Sequence, residues 1–292
     1  MSAIMQFLEI TFTPLVFIFT VASLFVMGLQ VKMDEVITAL KNKKNLGLIF
    51  VWGWVVGPAL AYLMAWILPM AEPYVIGMFL FCMAPAAPFL PLLVERARGD
   101  MSFAGALVPL VAVGTVVFMP LMAPLLVTGV SISIWLLAKP LLLTIFLPLV
   151  IGTATRHYAE TVATKIIPAV NLIAKLTTLM TIVWAAVLYY REMLATVGSF
   201  ALLSMTVFMV VMGWITYRFG FGLKQNQRSV MSLGMLTRNG SVVLISSLSI
   251  PNVEPGTITY VVMFVLGTGV IGVIAAILLG KQAGESVAGN TV

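Results

Sequence analysis

Apolar runs close to the ~20 residues an α-helix needs to span hydrocarbon follow one another along almost the whole chain. Few folds accept such a pattern. In a bilayer every backbone N–H and C=O must be satisfied within the protein, so only helices and closed barrels qualify. A barrel would show short segments of alternating hydrophobicity instead. Composition agrees: 61% of residues are hydrophobic, 9% are charged and mean hydropathy is +1.12, whereas a soluble domain carries roughly 25% charged residues. The expected fold class is an all-α polytopic membrane protein, a single membrane transport domain over residues 1–292.

Nine transmembrane helices are predicted, at roughly 11–30, 47–68, 74–93, 102–127, 134–153, 168–189, 197–217, 229–249 and 257–280. Met1–Ile10 has neither a basic n-region nor a small-residue cleavage site, so no removable signal peptide is expected. Lys281–Val292 is small and polar and is expected to be disordered. The single Cys82 excludes an intramolecular disulfide. The segment Val31–Lys44 is expected to lie at the interface as an amphipathic connector.

An odd number of spans puts the termini on opposite sides. If the first connection is cytoplasmic, Lys32, Lys41, Lys43, Lys44, Arg96, Arg98, Arg156, Lys165, Arg218, Lys224, Arg228 and Lys281 all fall on that side, and only Arg191 and Lys139 fall near the other. This asymmetry predicts a multi-pass protein of the inner (cytoplasmic) membrane with its N-terminus outside and its C-terminus cytoplasmic. The net charge of +6 thus marks a membrane orientation, and no nucleic-acid partner is implied.

Arg238 breaks the pattern. It lies about ten residues from either end of its span, or about 15 Å at 1.5 Å per residue, too far to reach the headgroups easily. Placing arginine at a helix centre costs about 2.5–3.5 kcal/mol on insertion scales. Every acid lies outside the spans, so no intramembrane carboxylate can neutralise it. Its partners must be backbone carbonyls, neutral side chains, water or an anion.

A second anomaly sits at matching depth in the third span, where Pro85, Pro88 and Pro91 fall within seven residues. Each removes a donor and releases the carbonyl four residues back, those of Phe81, Ala84 and Ala87. In the eighth span Asn239-Gly240-Ser241 is a weaker interruption of the same kind. The two spans run in opposite directions and are five spans apart, which suits an inverted repeat whose two broken helices cross at mid-membrane. Packing kinks for the prolines, or a carbonyl clamp for Arg238, are the plainer alternatives. Neither explains the shared depth.

Other candidates carry less. Thr115 and Gly114, midway along the fourth span, fit either close helix packing or a cavity lining, and Asn171, Thr177, Thr178 and Thr181 in the sixth span are equally open. His157 beside Arg156 has no triad or metal set around it, and the 19 methionines are scattered as packing residues. No acid, His or Cys cluster lies at one depth, so no enzyme and no resident cofactor is expected; the metal set is undetermined.

Three stretches resemble the bile acid:sodium symporter family, in a bacterial form. They are Met27-Gly28-Leu29-Gln30-Val31 with its basic connector, Ala84–Leu92 followed by Glu95-Arg96-Ala97-Arg98-Gly99-Asp100, and Leu233-Gly234-Met235 with Thr237-Arg238-Asn239-Gly240-Ser241. The resemblance implies a fold of ten helices in two inverted repeats, with a core domain holding two crossing broken helices and a panel domain against it. Nine spans leave that family's first helix without a counterpart, a gap that a homodimer would fill. The third and eighth spans become the crossing pair, the core covers about 47–127 and 197–280, and the panel about 11–30 and 134–189.

The departures matter as much. Where sodium-coupled members carry polar, acidic and amide side chains, this chain has Ala84-Pro85-Ala86-Ala87-Pro88, Gly234 in the acid's place and Arg238 in the amide's. A fixed guanidinium thus stands where a sodium ion sits elsewhere. The expectation is a secondary transporter of a small organic anion working by alternating access, with substrate bound by Arg238, Asn239, Thr237, Ser241, Pro85, Pro88 and Thr115. An anion channel or uniporter, or a conventional symporter with a sodium ion as coupling ion, are the alternatives. The bilayer and the organic anion are the expected partners.

Overall fold

The computed structural model describes residues 3–126 and 133–288, with side chains through residue 284. Among them every regular element is helical. In chain order these are α1 (Ala3–Gln30), α2 (Met33–Lys41), α3 (Lys43–Phe50), α4 (Gly57–Ile67), α5 (Glu72–Cys82), α6 (Leu90–Arg96), α7 (Met101–Leu126) and α8 (Ile134–Leu141). They continue with α9 (Leu147–Tyr158), α10 (Glu160–Leu188), α11 (Tyr190–Ala195), α12 (Ala201–Arg218), α13 (Gln225–Leu236), α14 (Gly240–Leu248) and α15 (Pro255–Ala288). Wider π-helical turns, Val51–Val56 and Leu142–Phe146, join α3 to α4 and α8 to α9.

Among the described residues seven continuous stretches are long and apolar enough to cross a membrane: Ile4–Gln30, Lys43–Ile67, Met101–Leu126, Ile134–Tyr158, Glu160–Leu188, Ala201–Arg218 and Pro255–Gly284. This is a multi-pass α-helical membrane protein. The two remaining expected spans are each split, into α5 with α6 and α13 with α14. Several helices overrun their expected ends. α10 begins at Glu160 rather than near 168, with Pro168 inside it, because its first turns are polar and exposed and therefore silent in a hydropathy pattern. The expected disorder from Lys281 onward does not begin there, since α15 continues to Ala288. Residue 127 of the fourth expected span and the last four residues of the tail lie outside the described residues. α2 buries no residue, in keeping with an interfacial connector.

The π turns have a local cause. Each ends directly before a proline, at Gly57-Pro58 and Leu147-Pro148, with the residue ahead of the proline donating five residues back, Gly57 to Trp52 and Leu147 to Leu142. A proline ring clashes with the carbonyl four residues earlier, and a widened turn relieves that clash without ending the helix. α1 packs against α9 and α10; α5, α12, α13 and α14 gather around α15. Buried residues are densest along the two split segments, where Tyr74 to Ala87 and Ser229 to Ser247 are nearly all enclosed.

Candidate functional site

The two splits meet. α5 ends at Cys82, α6 begins at Leu90, and the chain between them runs beside the Thr237–Asn239 linker of α13 and α14. Pro85 and Arg238 face each other in an isolated antiparallel bridge. The Ala86 N–H donates to the Thr237 carbonyl at 3.1 Å and to that of Gly234 at 2.8 Å, while the Asn239 N–H donates to the Ala84 carbonyl at 2.9 Å. In this pairing the bonding groups beside Pro85 are the Ala84 carbonyl and the Ala86 N–H, so its missing N–H leaves no bond unmade. Ala86 sits in the left-handed region at φ 60°, which turns its N–H toward the second linker.

The carbonyls released by the prolines are taken up by protein rather than left for a solute. Phe81 accepts from Ala84 at 3.2 Å, Ala84 from Asn239 and Ala87 from Leu90 at 3.0 Å. The Met83 carbonyl accepts the Trp54 indole N–H at 3.0 Å and the Thr115 hydroxyl at 3.4 Å. Backbone at this depth is tolerated only when satisfied in this way.

Most of the polar side chains expected to orient a solute also hold the break. Thr237 Oγ1 donates to the Leu233 carbonyl at 2.7 Å and accepts the Ala87 N–H at 3.3 Å. Asn239 is the N-cap of α14, its Oδ1 accepting the Val242 N–H at 3.4 Å and the Ser241 hydroxyl at 2.7 Å. Thr115 reaches Met83 as described, its neighbour Gly114 is packed tightly under the Trp54 ring, and Pro88 is only half-buried beside the linker.

Arg238 differs from all of these. It is 1% exposed, and none of Nε, Nη1 and Nη2 has a hydrogen-bond partner. Its guanidinium carbon lies 5.0 Å from the centroid of the Phe208 ring, which stacks edge-on against Phe264, itself parallel to Phe81 at 4.1 Å. A desolvated cation–π contact is worth about 2 kcal/mol. That does not offset the desolvation of a buried charge whose five donors are all unmade. The N-terminus of α14 begins two residues on and adds partial positive charge to the same place. The arrangement is chemically suited to one kind of guest, an anion with oxygens for the planar fork.

Residues 15–196 match the sequence model of the Sodium Bile acid symporter family, more than half of the chain. The chain belongs to that family. The matched region holds the first break and ends before the second, so Arg238 lies beyond it. Among curated proteins it is similar to the probable sodium/metabolite cotransporter BASS3, chloroplastic, of Arabidopsis thaliana, with 23% identity over 82% of this chain and 58% of that protein. The rice protein of the same name (Oryza sativa subsp. japonica) is 23% identical over 62% of this chain and 43% of its own length. The chain thus spans about half the length of the curated relatives it matches.

In this sodium bile acid symporter family member, two glycines lie against the breaks. A Cβ on Gly234 would lie 2.7 Å from Leu107 Cδ2, so a side chain there would require that leucine to shift. A Cβ on Gly57 would lie 3.3 Å from Arg238 Nη2 and 3.3 Å from the Cys82 carbonyl, so the bare glycine is what lets the π-turned helix approach the guanidinium. Gly57, Phe208 and Trp52 were not singled out by the sequence. Trp52 Nε1 is another buried donor without a partner, one turn from Gly57 on the same helix. Gly57-Pro58 within an apolar span was a visible signal; Phe208 carried none.

Proposed function

We propose that this protein is a secondary transporter of a small organic anion, held by the Arg238 guanidinium where the two interrupted helices cross. The observation that carries the reading is the guanidinium itself, enclosed in protein with all three nitrogens unpartnered. An arginine with a structural task at this depth would be clamped on carbonyls, and here none of its nitrogens donates to one. Thr237, Asn239, Ser241, Pro85, Pro88 and Thr115 keep the crossing open in this reading.

In the same reading the seven continuous spans and the two split ones make nine crossings in inverted repeats. α1 with α8, α9 and α10 forms a panel. The helices around the breaks form a core that moves against it, exposing Arg238 first to one side of the membrane and then to the other. The basic-residue asymmetry places the N-terminus outside. A cysteine introduced beside Glu72 or Glu254 is then expected to react with an impermeant thiol reagent from outside, and one beside Lys43 to stay protected; the reverse labelling would overturn the orientation.

The guanidinium takes the role of the coupling cation, so anion binding needs no sodium. Conventional sodium symport is the second reading, favoured by the family and by the names of the chloroplast relatives. A thermal-shift screen of purified protein against organic acids, each in sodium chloride and in choline chloride, separates the two, because ligand binding to the folded state raises apparent stability. Stabilisation by the same acid in both salts is expected. Stabilisation only in sodium would establish symport, and no response to any acid would remove the anion reading.

A further inference from the structure

At the far end of α6, away from the breaks, α15 passes beneath the turn Arg96-Ala97-Arg98-Gly99. Between them lies an open cavity of about 420 Å³ lined by Arg96, Arg98, Ile277, Gly280, Lys281 and Gly284. Its close packing depends on the two glycines, four residues apart on one face of α15. A Cβ on Gly280 would lie 2.5 Å from the Arg96 carbonyl oxygen, and one on Gly284 would lie 3.2 Å from Arg98 Nη1. Arg98 is held with φ 52°, a left-handed conformation that is costly for a residue with a side chain. The turn fixes it there, with the Arg98 N–H donating to Glu95 at 3.1 Å and the Gly99 N–H to Val94 at 2.9 Å. Among the described side chains, which end at residue 284, no carboxylate pairs with Arg96, Arg98 or Lys281, and none lines the cavity.

We infer that this cavity binds the headgroup of an anionic phospholipid. Three cations around one opening, with no carboxylate partner among the described side chains, call for negative charge, and what lies next to them calls for an apolar tail. Ile277 forms part of the wall, and from it Leu278 and Ile274 on α15 and Leu92 on α6 run on as exposed apolar surface. The cavity therefore sits where lipid-facing surface gives way to charge, the position of a headgroup whose acyl chains lie along the helices. A bound headgroup would also fasten the end of α6, the half-helix that follows the first break, to α15.

The test is native mass spectrometry of the purified full chain with equal amounts of dioleoyl phosphatidylglycerol and dioleoyl phosphatidylcholine. Each cation near a membrane surface contributes a factor of about five for an anionic lipid. Phosphatidylglycerol is thus expected to be preferred by on the order of tenfold to a hundredfold. The Arg96→Ala, Arg98→Ala, Lys281→Ala protein is expected to bind both lipids alike, whereas Lys165→Ala, at an exposed lysine on α10 outside the cavity, keeps the preference. If the triple variant does not fold, Lys281→Ala alone decides, with about a fivefold loss expected. Equal binding of the two lipids by the unaltered protein, a preference that survives the triple variant, or no loss with Lys281→Ala would overturn the inference. So would inorganic phosphate raising the melting temperature as much as phosphatidylglycerol, which would assign the cavity to a soluble anion.

Discussion

The two interrupted segments reach the same place by different chemistry. Between α5 and α6 the chain is Met83-Ala84-Pro85-Ala86-Ala87-Pro88-Phe89: apolar, broken by residues that cannot donate, and satisfied by bonds from elsewhere. Between α13 and α14 it is Thr237-Arg238-Asn239: polar, broken by residues that cap helix ends, and carrying a charge with no partner. In the proposed function the first segment supplies shape and the second supplies chemistry. The backbone bonds that stitch the linkers together use one donor from each, Ala86 and Asn239.

This division of labour breaks most decisively at Arg238. Arg238→Leu is expected to abolish anion binding, a loss of about 2–5 kcal/mol, or roughly 30-fold to several-thousand-fold. At the same time it should raise the melting temperature of the ligand-free protein by at least about 2 °C, since an uncompensated buried charge disappears. A variant that melts lower would mean that Arg238 is structural, and the contrast between the segments would fail.

The next largest effect falls on the first segment. Pro85→Ala, Pro88→Ala restores two backbone donors and allows α5 to extend through the linker, in competition with the pairing of Pro85 and Arg238. Uptake into proteoliposomes is expected to fall by about tenfold, while thermal stability holds or improves, because proline costs about 3 kcal/mol in a helix interior. Normal uptake by the double variant would reduce those prolines to packing features. A smaller effect separates the neighbours within the second segment. Asn239→Ala removes the N-cap of α14 and should cost about 1 kcal/mol of stability, seen as a lower melting temperature, with the anion's affinity changed far less than by Arg238→Leu. If Asn239→Ala instead abolishes binding at unchanged stability, the amide contacts the solute directly.

The positions of both breaks were legible in the sequence because their causes are local: three prolines in seven residues, and a charge with a capping Asn-Gly inside an apolar run. That they would pair through Ala86 and Asn239 was not, since it depends on the left-handed Ala86 and on how the segments dock. The carbonyls that the prolines release are occupied, Phe81 and Ala87 by the local N–H groups of Ala84 and Leu90, and Ala84 by Asn239, which comes from a segment that hydropathy cannot align with the break. Phe208 carried no signal for the same reason, and Gly57 carried only that of the proline beside it. Each matters only through its distance to a guanidinium far along the chain, and neither stands in a motif.

The most direct measurement of the central claim is counterflow in proteoliposomes of a labelled organic anion selected by thermal shift, in choline buffer free of sodium, with the unaltered protein and Arg238→Gln side by side. The guanidinium reading expects saturable exchange by the unaltered protein without sodium and none by Arg238→Gln in either salt. Exchange that requires sodium in the unaltered protein and persists with the same requirement in Arg238→Gln would contradict it.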